Sequence, residues 1–194
     1  MAKSELLLDV CEKRYYAEIS RRERLDAGVS IPVTVLSIEV GLFSLFFLKA
    51  PPIEPSLDAI LFYGLLCLAL LFFAVSACFV FRALTGYPLS LLSSPLDIRK
   101  YYLGTYKDLR GRQVQNAATI ARAKFRYFLS QQYIECNQTN IFQNDRKTKN
   151  LRRAKVTTMV SVIFLAMALI PFVYYRATDV RADVQRIEII KPAQ

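Results

Sequence analysis

The chain reads as an all-α polytopic membrane protein, and three observations carry that reading. The apolar runs Val29 to Leu48, Ala59 to Phe81 and Val156 to Tyr175 are each about 20 residues long. At ~1.5 Å rise per residue, that length crosses a ~30 Å hydrocarbon core. Charge is distributed unevenly around them. Residues Ala83 to Lys155 hold 14 Lys/Arg against Asp97, Asp108, Glu135 and Asp145, an excess that equals the whole chain's net charge of +10. Strand patterning is nearly absent; only Val184 to Ile190 alternates, which predicts at most one short strand in the tail.

The first 28 residues predict a cytoplasmic amphipathic helix. Leu7, Leu8, Cys11, Tyr15 and Ile19 share one face, and Arg14–Glu18, Glu18–Arg22 and Arg22–Asp26 stand four apart on the wetter side. Six Lys/Arg and six Asp/Glu are scattered through this segment, so no cleavable signal is expected. Gly28 predicts a break, and Ser30 followed by Pro32 a new helix start. Residues 29–82 then form a transmembrane hairpin whose second helix stops at Arg82, near Gly86 and Pro88.

Residues 83–155 predict a basic cytoplasmic helical module. Ser94-Pro95-Leu96-Asp97 has a capping Ser, Pro at the first helical position and an acid at the third. A second helix is expected from Arg112 to about Cys136, packed through Val114, Ala118, Ala121, Phe125 and Phe128. A polar break at Asn137 to Asn144 follows, and Asn144 or Asp145 would cap a last helix running into the third span, 156–175. Residues 176–194 form the tail.

Lys13, Arg14, Arg21, Arg22 and Arg24 precede the first span, whereas only Lys49 stands beside the link Ala50-Pro-Pro-Ile-Glu-Pro. The positive-inside bias therefore puts the N-terminus and central module in the cytoplasm and the tail outside. No histidine is present, which removes His-based acid–base catalysis and most zinc sites. The four cysteines make no framework, and no Gly-rich loop cradles phosphate. No enzyme activity, metal or cofactor is expected.

Glu39 is the candidate site residue, an acid at the middle of the first span. A carboxylate there costs a few kcal/mol and normally faces a cavity or a partner. It either lines a pore or binds a proton or cation, or it is a protonated carboxyl hydrogen-bonded to Ser76, a Thr or a carbonyl within the bundle. Opposite it runs a row of small residues, Ser30, Thr34, Ser37, Gly41 and Ser44, suited to close helix packing. Gly64, Cys67, Ala74 and Cys78 form a similar row in the second span, and Thr157, Ser161 and Ala168 in the third. Arg122, Lys124, Arg126, Arg152 and Arg153 are the candidate contacts for anionic lipid or a phosphorylated signal. Phe125 and Phe128 between the bases fit a buried helix face better than a base-stacking surface, which argues against nucleic acid. The sequon Asn137-Gln-Thr139 falls on the cytoplasmic side and is expected to be silent.

Residues Lys13-Arg-Tyr-Tyr-Ala-Glu-Ile-Ser-Arg-Arg-Glu-Arg-Leu25, with Ser30 and Leu36-Ser37, resemble the entry to the first membrane helix of SLATT-type bacterial proteins. Ile98-Arg-Lys-Tyr-Tyr-Leu-Gly-Thr-Tyr-Lys-Asp-Leu109 is similar to the amphipathic helix that follows there. The likeness covers residues 4 to 110 and has no counterpart for the third span. It implies a small membrane effector of anti-phage defence that damages or permeabilises the inner membrane when a cytoplasmic partner signals. The expectation is thus a homo-oligomeric, pore-forming or membrane-perturbing protein; the alternative is a non-catalytic scaffold or regulatory subunit of a membrane complex.

Overall fold

The computed structural model describes the backbone of residues 2–51, 57–85 and 87–190, and side chains from 5 to 177 within those ranges. Its helices are α1 (Ala2–Leu48), α2 (Leu57–Leu84), α3 (Pro95–Gly111) and α4 (Ala117–Ile190), with no strand among the described residues. α1, α2 and α4 each contain a stretch long and apolar enough to cross a membrane.

The expected breaks are not there. α1 continues through Gly28, Ser30 and Pro32. Pro32 removes one backbone hydrogen bond, but its ring is fully buried on the packed face between Val29 and Leu36, and that packing carries the helix through. Gly28 serves a close approach: a Cβ there would stand 3.3 Å from Leu151 Cδ2. α4 likewise continues through Asn137 to Asn144, because those amides turn inward to bonds with other segments. Val184 to Ile190 is the end of α4, and the expected short strand is absent. Gly86, residues 52–56 of the Pro-rich link and residues 191–194 of the tail lie outside the described residues.

The α3 start is as expected. Ser94 Oγ accepts from the Asp97 amide at 3.2 Å and donates to Asp97 Oδ2 at 2.7 Å, with Pro95 at the first helical position. Arg112, expected to open the next helix, instead caps α3. Val114 N donates to Leu109 O and Gln113 N to Arg110 O, the paired bonds of a Schellman end, with Gln113 at φ 55° where glycine is usual. Asn116, at φ 59°, then accepts from the amides of Thr119 and Ile120 and opens α4.

The chain divides into two compact units, residues 1–27 with 86–149 and residues 28–85 with 150–194. In the first, α1 and α4 run parallel, since Asn137 bonds the Cys11 carbonyl and Asn144 the Glu18 carbonyl, seven residues on along both helices. Its apolar centre is Cys11, Tyr15, Tyr133 and Cys136, flanked by Leu8, Ile19 and Leu92. α3 docks through buried Leu109, with Tyr101 stacked on Phe128 at 4.0 Å and Tyr102 edge-on to Phe125 at 5.3 Å. Ala121, Phe125 and Phe128 face inward as expected, whereas Ala118 is exposed and Val114 precedes the helix.

The second unit is a three-helix bundle. Buried positions recur at alternating three and four residues: Val29, Pro32, Leu36, Glu39, Phe43 and Phe46 on α1, and Leu151, Ala154, Thr158, Ser161, Leu165, Ala168 and Phe172 on α4. On α2 the corresponding face runs from Ala59 and Phe62 to Val80 and Ala83. A mean spacing of 3.5 is the pattern of left-handed supercoiled packing. α2 runs antiparallel to α4, because Ser161 bonds the Ala69 carbonyl and Ser76 the Ala154 carbonyl. Phe46, Phe62 and Phe172 fill one end, with ring centroids 5.0 to 5.8 Å apart.

Candidate functional site

Glu39 lies inside its own bundle at 1% exposure. Ser161 Oγ on α4 is 2.8 Å from Glu39 Oε2 and 3.0 Å from the Ala69 carbonyl on α2, so one hydroxyl ties all three helices at this level. Glu39 Oε1 is buried with no hydrogen-bond partner. A second polar level is built from Ser76 and Thr158, 2.5 Å apart, both hydroxyls also reaching the Ala154 carbonyl. Of the two readings of Glu39, this geometry matches the hydrogen-bonded carboxyl within the bundle, with Ser161 as the partner in place of Ser76. The two hydroxyl levels supply donors where lipid would supply none.

The small-residue rows divide. Ser161 and Ala168 on α4 are fully buried, as close packing requires. Ser37, Gly41 and Ser44 on α1 and Gly64 and Cys67 on α2 face outward instead, and a Cβ at Gly41 or Gly64 would meet no atom within 4 Å. Thr34, Ser37 and Ser44 donate to the carbonyls of Ser30, Val33 and Val40 in their own helix. Among the described residues, the glycines of these rows therefore meet no neighbouring helix. The close-packed small residues of α2 are Ala69, Ser76 and Ala83, seven apart and fully buried, on a different face from the expected row.

The basic candidates also separate. Arg122 and Lys124 are exposed on nearly opposite sides of α4, about 200° apart at 100° per residue. Arg126, on the Arg122 side, is paired with Glu5 at 2.6 Å. Arg152 and Arg153 are exposed in the second unit, where the Arg153 guanidinium stands 5.8 Å over the Phe79 ring. Within the first unit, Arg122 and Lys124 therefore do not share a face.

The polar interior of the first unit went unread in the sequence. Asn140 brackets Ser90, accepting from its amide at 2.8 Å and donating to its carbonyl at 3.0 Å. Asn144 Nδ2 reaches both the carbonyl and the carboxylate of Glu18. Lys147 is fully buried and bonds Asp26, which also receives Arg22 Nε at 3.3 Å. Arg21 joins Asp145 at 2.7 Å, and the carboxylate raises the guanidinium's proton affinity further. Asn137, the sequon residue, is buried with its amide on the Cys11 carbonyl, so a glycan there would be incompatible with this packing. The signal that could have found this face is phase: 137, 140, 144 and 147 step by three and four into 151, 154 and 158 without a slip.

Among the described residues no three Cys, Asp or Glu side chains gather as metal ligands do. Comparison with family models, with curated proteins and with solved structures finds no match to this chain.

Proposed function

We propose that this protein is a non-catalytic membrane effector that assembles with copies of itself in a bacterial inner membrane and perturbs or permeabilises it. Its N-terminus and the 86–149 segment would face the cytoplasm, and a cytoplasmic partner or phosphorylated signal acting on that unit would control assembly. The positive-inside bias supports the orientation. The resemblance of residues 4–110 to SLATT-type proteins supports the anti-phage role. The absence of histidine supports a role without catalysis.

The observation that carries the reading is the outward row Ser37, Gly41 and Ser44 on α1, with Gly64 and Cys67 on α2. A strip of small residues along a span is the surface on which membrane helices approach one another closely, and here, among the described residues, nothing stands within 4 Å of a Cβ at Gly41 or Gly64. Glu39 then acts from within, holding the three helices of each copy in register, and the conducting or disrupting surface forms between copies.

Gly41→Leu and Gly64→Leu test this directly. Each has open space in the single chain, so the fold should persist while cross-linking between copies and collapse of membrane potential on regulated expression are both lost. Val40→Leu, off the row, should behave as wild type. Depolarisation by the two glycine variants equal to wild type would end the proposal. The sealed position of Glu39 favours one other reading, a scaffold or regulatory subunit with no conducting path; for it, wild type would leave membrane potential intact at every expression level.

A further inference from the structure

We propose that α3 is a membrane-surface helix: its outer face, centred on Leu96 and Leu103, lies against the headgroups of an anionic leaflet. α3 docks into its unit through Leu109, Tyr101 and Tyr102, which leaves the opposite side free. At 100° per residue, Arg99, Arg110, Leu103, Leu96, Lys107 and Lys100 fall in that order within an arc of about 100°. The two acids of the helix, Asp97 and Asp108, stand outside the arc, about 60° and 80° beyond Lys100. All six arc residues are exposed, Leu96 at 65% and Leu103 at 39%.

A basic face that merely keeps a helix in water does not place two leucines seven residues apart at its centre. A helix lying in a bilayer interface needs that combination: apolar side chains enter the acyl boundary while flanking cations meet lipid phosphates. The cations are available for it. Among the described residues no carboxylate stands within ion-pair distance of Arg99, Lys107 or Arg110, and Lys100 reaches Asp97 only at 3.7 Å. By contrast, Arg126 of α4 is taken by Glu5. Tether length favours the leaflet over a soluble polyanion. Ten residues, 85–94, join α2 to α3, so a leaflet is within about 35 Å of the helix at full chain extension. The contact surface that α3 offers to lipid is therefore Leu96, Arg99, Lys100, Leu103, Lys107 and Arg110.

The inference rests on the three span-length helices crossing a membrane and is independent of effector activity. The test uses full-length protein in nanodiscs, with Cys11, Cys67, Cys78 and Cys136 replaced by serine or alanine. A fluorophore on Leu103→Cys, and in a second protein on exposed Tyr127→Cys, is quenched by brominated acyl chains. Strong quenching at 103 and little at 127 is expected in phosphatidylglycerol discs. Quenching at 103 should fall by at least about twofold in phosphatidylcholine or in high salt, where screening shortens to ~3 Å at 1 M. Reversal of Arg99, Lys100, Lys107 and Arg110 to Glu should abolish it, while an unchanged helical spectrum shows that the fold survives. Equal quenching at the two positions, or quenching at 103 indifferent to lipid charge and to the reversal, would overturn the proposal. So would displacement of the 103 probe from anionic discs by added RNA, which would make nucleic acid the partner.

Discussion

One helix, α4, serves two interiors with the same three-and-four spacing and a different balance of chemistry. In the first unit the apolar Tyr133 and Cys136 are followed inward by Asn137, Asn140, Asn144 and Lys147; in the second the inward positions are Ala154, Thr158, Ser161, Leu165, Ala168 and Phe172. The first interior is specified by bonds that only one register satisfies, because a slip of one residue would leave the Asn137 and Asn144 amides without the Cys11 and Glu18 carbonyls. The second is specified by shape, with three phenylalanines at one end and small residues letting backbones approach elsewhere. Its single carboxylate is met by a single hydroxyl. Burying an amide contributes only about 1 kcal/mol net when bonded, yet costs about 1–3 kcal/mol when its partner is lost. Polar interiors thus add more to uniqueness than to stability, and apolar ones the reverse.

Breaking the first interior should give the largest effect. Asp26→Ala strands the buried Lys147 charge, and a loss of about 2 kcal/mol is expected, seen as a roughly 30-fold faster alkylation of the buried thiols Cys11 and Cys136. Lys147→Met leaves Asp26 half in water beside Arg22, and the same rate should change less than about threefold. Equal losses from the two substitutions would mean that the pair is not asymmetric in burial. The unit should also be the alkali-sensitive one. Burial pushes the Tyr133 hydroxyl up to about 12 and Tyr15 upward as well. Unfolded tyrosine loses its proton near pH 10, so the stability is intact below pH 10 and falls as pH climbs from 10 to about 12. A decline on the order of 1–2 kcal/mol is expected, largely removed in Tyr133→Phe; a curve unchanged by that substitution would place the sensitivity elsewhere.

In the second interior, Ser161→Ala removes the donor shared by Glu39 and Ala69 and should cost roughly 1–2 kcal/mol in detergent unfolding. A neutral result would make Glu39 independent of α4. The smallest effect is a gain: Gln113→Gly relieves a left-handed residue at the end of α3 and should stabilise the first unit by about 0.5–1 kcal/mol, slowing thiol labelling and leaving the second unit unchanged.

The class of the protein was legible because a span needs only length and apolarity, and Val29 to Leu48 has both. The α3 cap was legible because Ser94, Pro95 and Asp97 act within one turn. Helix continuity was not. Gly28 and Pro32 punctuate a helix surrounded by water, but a neighbouring helix can require the first and bury the second. Asn137 to Asn144 looked like a break because polarity was weighed before phase. Glu39 announced itself by its cost, and its place by being opposite Ser37 and Gly41; which of those faces looked inward depended on what α2 and α4 offered to each. No local pattern encodes that choice.

The segment between α2 and α3 is irregular, yet its backbone is already occupied. Asn140 holds both groups of Ser90, Arg22 takes the Tyr87 carbonyl, Cys136 the Leu91 carbonyl at 3.5 Å, and Gln132 the Ser93 amide. A protease binds its substrate as an extended strand through those same N–H and C=O groups. Residues 87–93, which offer Leu89, Leu91 and Leu92 to chymotrypsin, should therefore outlast their appearance as an exposed linker when the protein meets that protease, and cleavage there would report that α4 has let go.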